Sequence, residues 1–339
     1  MNEKPALNYG SLPTVSLDKL IDGDAGTVNE LTSACRDIGF FYLDLRNVRT
    51  NNILEDVDRI FSITDDLFRL PFEKKQEYST EKFSVSKILG YKPPGLTTGP
   101  YGGKKDGFES FMIPNNALFD LDPNMPMTAP EPLTSKRDLL EHFVGDIHEQ
   151  GLLILSTLSR ALQLPLDLKD CHRKCELSTT GLGLLKYLPY GSSDANIGHI
   201  AHTDLGSLAI VFSNTGGLQV FMPGLEDWRY IAPKPGHAIV NVGDSLTALS
   251  KGVLRSCLHR VVPPPDAWDQ IKFSLVYLMR PEYDTVFTTS DGKEWRSLDW
   301  HNRKFTVLRA THLVQSQDSV LTGRHGFIGL ADTPSLTKP

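Results

Sequence analysis

The first third of the chain carries apolar residues at the spacing of amphipathic helices. Thr27 and Glu30 form a capping-box pair ahead of one apolar stripe, which predicts that a helix begins there. A second stripe starts at residue 51 or 52 and runs until Pro71, because proline ends a helix. The short aromatic run at residues 40–43 lies between the two stripes and predicts a buried strand.

The rest of the chain divides into one long helix and a β-rich region. Apolar residues at helical spacing predict a helix over residues 135–162. From about residue 177 to residue 312, short β-rich runs alternate with turn residues, which is typical of a sandwich or barrel. Glycines and prolines crowd residues 90–107 and predict a long loop, of the kind that often forms a lid or pocket wall in compact enzymes.

Composition limits the classes of function. The 339 residues carry 35 Lys and Arg against 41 Asp and Glu, a net charge of −6, which excludes nucleic-acid binding through a generally basic surface. With no export signal and no apolar run long enough to cross a bilayer, we expect a cytoplasmic protein without membrane contact. The four cysteines are too few for a disulfide framework. Cys171, His172 and Cys175 lie close together but lack the fourth ligand of a structural zinc site.

Three side chains of the β-rich region have the chemistry of a metal site. Strand alternation places His202 and Asp204 on one face, two residues apart, and a second β-like run presents His259 a further 55 residues along the chain. Two histidines and one carboxylate are the facial set that binds non-heme Fe(II) and leaves coordination positions open. Taken alone, the His-x-Asp pair is weak evidence, and a strand histidine beside a solvated aspartate is the favoured interpretation of an isolated pair.

Two neighbouring polar residues are expected to lie outside this set. Alternation along the strand turns His199 to the face opposite His202. Asp244 follows a glycine at the end of a β-like run, which is typical of a turn between strands. We therefore predict that His199 does not bind the metal and that Asp244 is a turn residue rather than a catalytic acid.

Further segments accompany the triad in a fixed order along the chain. They are residues 12–17, 34–41, 90–91 and 106–111 before it, residues 217–220, 235–236, 241–244 and 250–252 within it, and residues 272–274 and 280–281 after it. This ordered set resembles the iron(II)- and 2-oxoglutarate-dependent dioxygenase superfamily over nearly the whole chain. Within that superfamily it is similar to the branch of isopenicillin N synthase and looks most like fungal members.

The resemblance implies the architecture. It predicts a mixed α/β (α+β) fold with a double-stranded β-helix, or jelly-roll, core, an N-terminal helical extension and a long supporting helix. Residues 1–175 would form the N-terminal dioxygenase region with its helices and lid loop. Residues 176–312 would form the jelly-roll core for Fe(II) and 2-oxoglutarate, and residues 313–339 a C-terminal tail or helix. We expect these parts to act as one functional unit.

The resemblance also implies the residues of the site. His202, Asp204 and His259 would be the iron ligands. The family holds the distal carboxylate of 2-oxoglutarate with an Arg-x-Ser pair, and the matching positions here are Lys272 and Ser274. The two side chains share one strand face, so an ammonium and a hydroxyl can pair with a carboxylate, although the planar fork of arginine is lost.

Each co-substrate residue has an alternative interpretation. Lys272 could be a solvated lysine at a strand end, with the co-substrate held otherwise or absent. Tyr187 is the candidate for the tyrosine that touches the co-substrate in many family members, displaced by one residue. Alternatively, Leu188 takes that position and Tyr187 is an ordinary buried tyrosine of the sheet.

The resemblance implies an oxygenase that uses Fe(II), 2-oxoglutarate and dioxygen to hydroxylate or desaturate a small organic molecule through a ferryl oxidant. By analogy with fungal members, the molecule is a secondary metabolite. Its pocket walls are predicted at Phe111, Phe212, Leu278 and Tyr101, and the acidic balance and apolar walls suggest a mostly neutral or apolar substrate.

Two other functions fit the same fold. One is an iron oxidase that does not use 2-oxoglutarate, and the other is a non-catalytic small-molecule binding protein, against which the intact triad argues. A zinc hydrolase lacks the expected spacing and a general base. The substrate and the oligomeric state are left open by the sequence.

Overall fold

The computed structural model describes residues 7–46, 51–83, 86–97, 99, 105–189, 198–264 and 266–323. No helix within these ranges is long and apolar enough to cross a membrane. Fourteen strands and twelve α-helices alternate along the described chain.

The strands are β1 (Thr14–Ser16), β2 (Phe40–Asp44), β3 (Gly90–Lys92), β4 (Phe108–Pro114), β5 (Gly181–Tyr187), β6 (His199–His202), β7 (Leu208–Ser213), β8 (Leu218–Met222), β9 (Asp227–Ile231), β10 (His237–Val242), β11 (His259–Val261), β12 (Lys272–Met279), β13 (Val286–Thr288) and β14 (Glu294–Arg296). The helices are α1 (Leu17–Ile21), α2 (Ala25–Asp37), α3 (Asn51–Arg69), α4 (Phe72–Gln76), α5 (Thr80–Phe83), α6 (Asn115–Leu118), α7 (Glu131–Thr134), α8 (Arg137–Ala161), α9 (Asp244–Leu249), α10 (Ser297–Leu308), α11 (His312–Ser316) and α12 (Ser319–Thr322).

Two sheets form the β core. The large sheet has eight strands in the order β1-β2-β10-β7-β12-β5-β4-β3, and the small sheet has four in the order β6-β11-β8-β9. Their pairings are antiparallel except that of β1 with β2. The predicted mixed fold with a jelly-roll core is confirmed.

The large sheet joins the two halves of the chain. Strands β1 to β4 come from residues 1–175, and they flank strands β5, β7, β10 and β12 of the later, β-rich region. The outer face of this sheet packs against α8, where the rings of Phe143 and Phe212 lie 6.0 Å apart. The inner face is left to enclose a cavity with the small sheet.

The predicted helices α3 and α8 are confirmed, while the start of α2 differs from the prediction. Asp24, not Thr27, is its N-cap: the Asp24 carboxylate accepts a hydrogen bond from the backbone N–H of Thr27 at 2.8 Å. A short acidic side chain satisfies a free helix N–H as well as a hydroxyl does, so Thr27 lies inside the first turn.

The segment predicted as a long loop begins as a strand. Gly90–Lys92 is β3, the edge strand of the large sheet, paired with β4. Beyond it, Asp106 fastens the described part of the loop: its carboxylate accepts hydrogen bonds from Lys92 Nζ at 2.6 Å and from the backbone N–H of Thr97 at 2.5 Å. Asp106 is fully buried, and Lys92 is 7% exposed.

Candidate active site

The three predicted metal ligands converge on the small sheet. His202 is the last residue of β6, His259 is the first of β11, and the two are direct partners in the antiparallel register. Asp204 lies in the turn after β6. One ligand atom from each of the three residues lies within 4.8 Å of the others, with Asp204 oxygens 3.6 Å from His202 Nε2 and 3.7 Å from His259 Nε2.

Backbone carbonyls orient both imidazoles. His202 Nδ1 donates to the carbonyl of Ile200 at 2.7 Å, and His259 Nδ1 donates to that of Cys257 at 3.1 Å. A ring that carries its proton on Nδ1 has a lone pair on Nε2, the atom that faces Asp204 in each case. Burial, reinforced by the neighbouring His202, lowers the pKa of His259 to about 4, so this ring is neutral at pH 7.

Asn241 orients the carboxylate. This residue of β10 donates from Nδ2 to Asp204 Oδ2 at 2.8 Å. Burial opposes the ionisation of Asp204, but His259, His202 and the Asn241 amide outweigh it and hold the pKa of the carboxyl well below its usual range. Asn241 was part of an ordered segment in the sequence, but no role was predicted for it.

The donor set fits a divalent iron. Two imidazole nitrogens and one carboxylate oxygen, from side chains that are each oriented by a hydrogen bond, are the ligands that non-heme Fe(II) takes on one face. The triad lines a cavity of about 240 Å³ between the two sheets.

Lys272 also lines this cavity, and no carboxylate among the described residues balances its positive charge. Its side chain is 8% exposed, and Nζ donates to the backbone carbonyl of Thr215 at 2.6 Å. Burial lowers the pKa of this ammonium to about 7. Ser274, two residues along the same face, shares a 2.8 Å hydrogen bond with Ser213 Oγ and also lines the cavity. An ammonium and a hydroxyl side by side fit a carboxylate.

Tyr187 lies beside Lys272. The two are direct partners in the pairing of β5 with β12, and Tyr187 lines the cavity with 7% of its surface exposed. Its ring centroid is 5.3 Å from that of Phe108. Burial raises the pKa of its hydroxyl. Leu188, the alternative, is not among the lining residues that the structure describes.

Two of the four predicted wall residues lie elsewhere. Leu278 lines the cavity, as does Val276 on the same strand face. Phe111 and Phe212, in contrast, are 0% and 4% exposed in the core on the outer face of the large sheet. Both predictions are wrong because alternation along β4 and β7 turns the residues on either side of each phenylalanine into the cavity. Tyr101 lies outside the described residues.

His199 lies on the same side of β6 as His202, so the prediction that it faces the opposite side is wrong. Its ring centroid lies 4.4 Å from that of His202, and it lines the same cavity rather than the opposite face. The register of β6 against β11 shifts by one residue between the pairs at His259 and Val261, and this bulge cancels the alternation. The ring nevertheless lies outside the cluster of ligand atoms formed by the triad.

A buried ion pair supports the turn between the ligands. Lys304 of α10 is 0% exposed and donates to Thr203 Oγ1 at 3.0 Å and to the Asp244 carboxylate. Thr203 lies between His202 and Asp204, so the pair links α10 to the metal-binding turn. Asp244 is the first residue of α9 rather than a turn between strands. No signal in the sequence paired a lysine 60 residues downstream with this aspartate.

Comparisons with protein families match both halves of the chain. A model described as the 2OG-Fe(II) oxygenase superfamily matches residues 180–281, and one described as the non-haem dioxygenase in morphine synthesis N-terminal region matches residues 12–131. Among curated proteins, the 2-oxoglutarate-dependent dioxygenase gloE of Glarea lozoyensis is 34% identical over 92% of each chain. The 2-oxoglutarate-dependent dioxygenase ecdG of Aspergillus rugulosus is 34% identical over 87% of this chain and 88% of its own.

Solved structures share the fold at lower sequence identity. A full-length Neurospora crassa protein in complex with alpha-KG and thymine superposes with a TM-score of 0.70 at 20% identity, over 90% of this chain and 98% of the other. The rice dioxygenase for auxin oxidation superposes with a TM-score of 0.64 at 21% identity, over 90% and 99%.

Proposed function

The chain belongs to the 2OG-Fe(II) oxygenase superfamily, and from this premise we propose that His202, Asp204 and His259 hold its iron while Lys272 and Ser274 bind 2-oxoglutarate. The protein is an Fe(II)- and 2-oxoglutarate-dependent dioxygenase that acts on a small organic molecule.

The uncompensated charge of Lys272 carries the assignment of the co-substrate site. A buried ammonium without a carboxylate partner is costly, and a ligand that brings a carboxylate removes that cost. In the part of the chain that the structure describes, Lys272 faces the triad's cavity with such a charge and has Ser274 at its side. Because an ammonium is a point charge, Lys272 supplies attraction, and we infer that Ser274 supplies the direction that an arginine fork would otherwise give.

The residues around the site have separable tasks. When bound, iron and 2-oxoglutarate supply the oxidising chemistry, in which dioxygen is consumed, succinate and carbon dioxide form, and a C–H bond of the substrate is oxidised. Asn241 and the carbonyls of Ile200 and Cys257 keep the three ligands in place. Apolar side chains such as Val276 and Leu278 exclude water and hold the substrate, so that the nearest C–H bond determines the product.

We infer that the substrate is a small secondary metabolite and that the outcome is hydroxylation or desaturation. Fungal relatives that are themselves 2-oxoglutarate-dependent dioxygenases support this class. We also infer that residues 1–175, 176–312 and 313–339 work as one functional unit. The large sheet supports this inference for the first two parts, because strands of the first flank those of the second and the largest hydrophobic cluster contains residues of both.

Release of succinate from 2-oxoglutarate tests the proposed site. We expect the unmodified protein to form succinate with Fe(II) and dioxygen, faster with the correct member of a metabolite panel. His202→Ala and Asp204→Ala should abolish this release while circular dichroism stays unchanged. His142→Ala, which removes a half-exposed histidine outside the cavity, is the matched control and should behave like the unmodified protein.

Two results would contradict the proposal. Full succinate release from either triad variant would show that the metal site lies elsewhere. Oxygen uptake by the unmodified protein that needs no 2-oxoglutarate and releases no succinate would instead indicate the oxidase of the same fold.

A further inference from the structure

A second buried cation, Arg280, faces the cavity and is not used by the proposed chemistry. It follows the last residue of β12 and continues the face of that strand that holds Lys272, Ser274, Val276 and Leu278, all of which line the cavity. Arg280 lines it too and is only 6% exposed. The same alternation that places Leu278 in the pocket also places Arg280 there.

The guanidinium is incompletely satisfied. Among the described residues, its side chain donates to the carbonyl of Thr179, whereas Nε is buried without a partner. No carboxylate within the described ranges forms an ion pair with it. Burial lowers the pKa of Arg280 only to about 10, against the opposing effect of the Asp204 carboxylate, so the group stays positively charged at pH 7. A buried, charged group of this kind indicates that the counter-charge arrives with a ligand.

Arg280 and Lys272 lie at opposite ends of β12 and pack on different parts of the metal site. A Cβ atom at Gly217 would lie 3.7 Å from both Lys272 Cδ and Val261 Cγ1, which places Lys272 beside the strand that begins at His259. A Cβ atom at Gly206 would lie 2.7 Å from Arg280 Cγ, so Arg280 packs on the turn that follows Asp204. Only glycine allows this close approach.

One ligand cannot serve both cations. Eight residues of extended strand separate Lys272 from Arg280, roughly 26 Å at about 3.3 Å per residue. A five-carbon dicarboxylate is far shorter than that. If 2-oxoglutarate occupies Lys272, Arg280 is free for another molecule in the same cavity.

The charges of the occupied site point the same way. Fe(II) and Lys272 together carry three positive charges. Asp204 and fully ionised 2-oxoglutarate together carry three negative charges, so these four groups balance. Of the other cations that line or adjoin the cavity, Lys92 and Lys304 are each paired with a carboxylate. Lys87 and Arg309 are partly exposed at its wall, and both pair with Glu81. Arg280 is therefore left with one uncompensated positive charge beside the place where the substrate must lie.

We propose that Arg280 binds a carboxylate of the substrate, at the end of β12 opposite Lys272. This inference rests on the proposed function and names the substrate class: a small molecule with an apolar body and one carboxylate. A single negative charge balances that of Arg280, whereas a phosphate monoester would bring nearly two. The apolar body is consistent with the walls at Leu205, Leu208 and Phe305. The neutral substrate expected from composition is thereby replaced by an anionic one.

The test uses Mn(II)-loaded protein saturated with 2-oxoglutarate and three acids of different shape, namely benzoate, phenylacetate and hexanoate, each with its amide. Relaxation of the probe protons by Mn(II) reports binding close to the metal. We expect at least one acid to bind about ten-fold or more tightly than its amide. Arg280→Gln should remove this preference, and Arg280→Lys should retain most of it. Arg303→Gln, which removes an equal charge from the exposed face of α10, should leave it unchanged.

Each outcome separates this inference from the proposed function. Failure of 2-oxoglutarate itself to bind the Mn(II) protein contradicts the proposed function. With 2-oxoglutarate bound, the Arg280 inference is overturned if no acid is preferred over its amide, or if the preference persists in a folded Arg280→Gln protein. It is also overturned if excess 2-oxoglutarate displaces the acids, because they then occupy the site at Lys272.

Discussion

Raising the pH should weaken the binding of 2-oxoglutarate by removing the proton from Lys272. Burial lowers the pKa of this ammonium to about 7 in the ligand-free protein. A bound carboxylate stabilises the charged form, so the pKa rises again in the complex. Binding is therefore strongest below about pH 7, where Lys272 is already protonated, and above that pH the complex must take up a proton to form.

The size of the effect follows from the protonated fraction. With a pKa of about 7, that fraction is about nine-tenths at pH 6 and about one-tenth at pH 8, so the apparent dissociation constant rises about ten-fold between them. Each further pH unit adds about another factor of ten, or about 1.4 kcal/mol, until the pH reaches the raised pKa of the complex. The carboxylates of 2-oxoglutarate are ionised throughout this range.

Isothermal titration calorimetry of the Mn(II)-loaded protein between pH 6 and 9 measures the dissociation constant of 2-oxoglutarate and the proton uptake on binding. Buffers of different ionisation enthalpy give the number of protons taken up, which should rise from near zero at pH 6 to nearly one at pH 8.5. Lys272→Arg is the matched control, because a guanidinium stays charged over the whole range and its dissociation constant should stay flat.

Two outcomes would refute the reasoning about Lys272. The first is a flat dissociation constant without proton uptake in the unmodified protein. The second is an equal pH dependence in Lys272→Arg, because both proteins share the metal site and the effect would then arise there.

Three further changes test the support of the site. Asn241→Ala should weaken Mn(II) binding about ten- to hundred-fold by freeing the Asp204 carboxylate, and unchanged affinity in a calorimetric titration would contradict this role. Lys304→Met should lower the free energy of unfolding in urea by about 3 kcal/mol, because it leaves the Asp244 carboxylate without its buried partner, while Lys251→Met on the exposed surface should change it by less than about 0.5 kcal/mol. Lys272→Met should stabilise the ligand-free protein by about 2 kcal/mol and abolish its thermal stabilisation by 2-oxoglutarate, and a thermal shift equal to that of the unmodified protein would exclude Lys272 from the site.

Cavity-lining residues could be predicted only on strands where a residue of known role showed which face points into the cavity. Alternation states that every second residue shares a face, but it does not say which set faces the cavity. On β12 the resemblance assigned Lys272 and Ser274 to the co-substrate, so Leu278 on the same face was predicted correctly. No residue of β4 or β7 had such an assigned role on the cavity face, and Phe111 and Phe212 were predicted in the cavity although they lie in the core.

Local irregularities and distant contacts account for the other differences. The one-residue bulge between β6 and β11 brings His199 to the side of His202, and the sequence of neither strand predicts this bulge. Asp24 competes with Thr27 as the cap of α2, and both satisfy the local pattern. Lys304 reaches Thr203 across 101 residues of chain, a contact that only the packing of α10 on the metal-binding turn creates.

The two buried cations should respond differently to pH, and this difference tests whether the cavity holds two separate carboxylate sites. Burial lowers the pKa of Lys272 to about 7 but that of Arg280 only to about 10, so between pH 6 and 8.5 the first loses its charge and the second keeps it. In protein kept saturated with 2-oxoglutarate, the preference for acids over amides should therefore stay constant from pH 6 to 8.5, while the affinity for 2-oxoglutarate itself falls. If the acid preference declined with the same midpoint as 2-oxoglutarate binding, both carboxylates would depend on Lys272, and the assignment of a separate substrate site to Arg280 would be wrong.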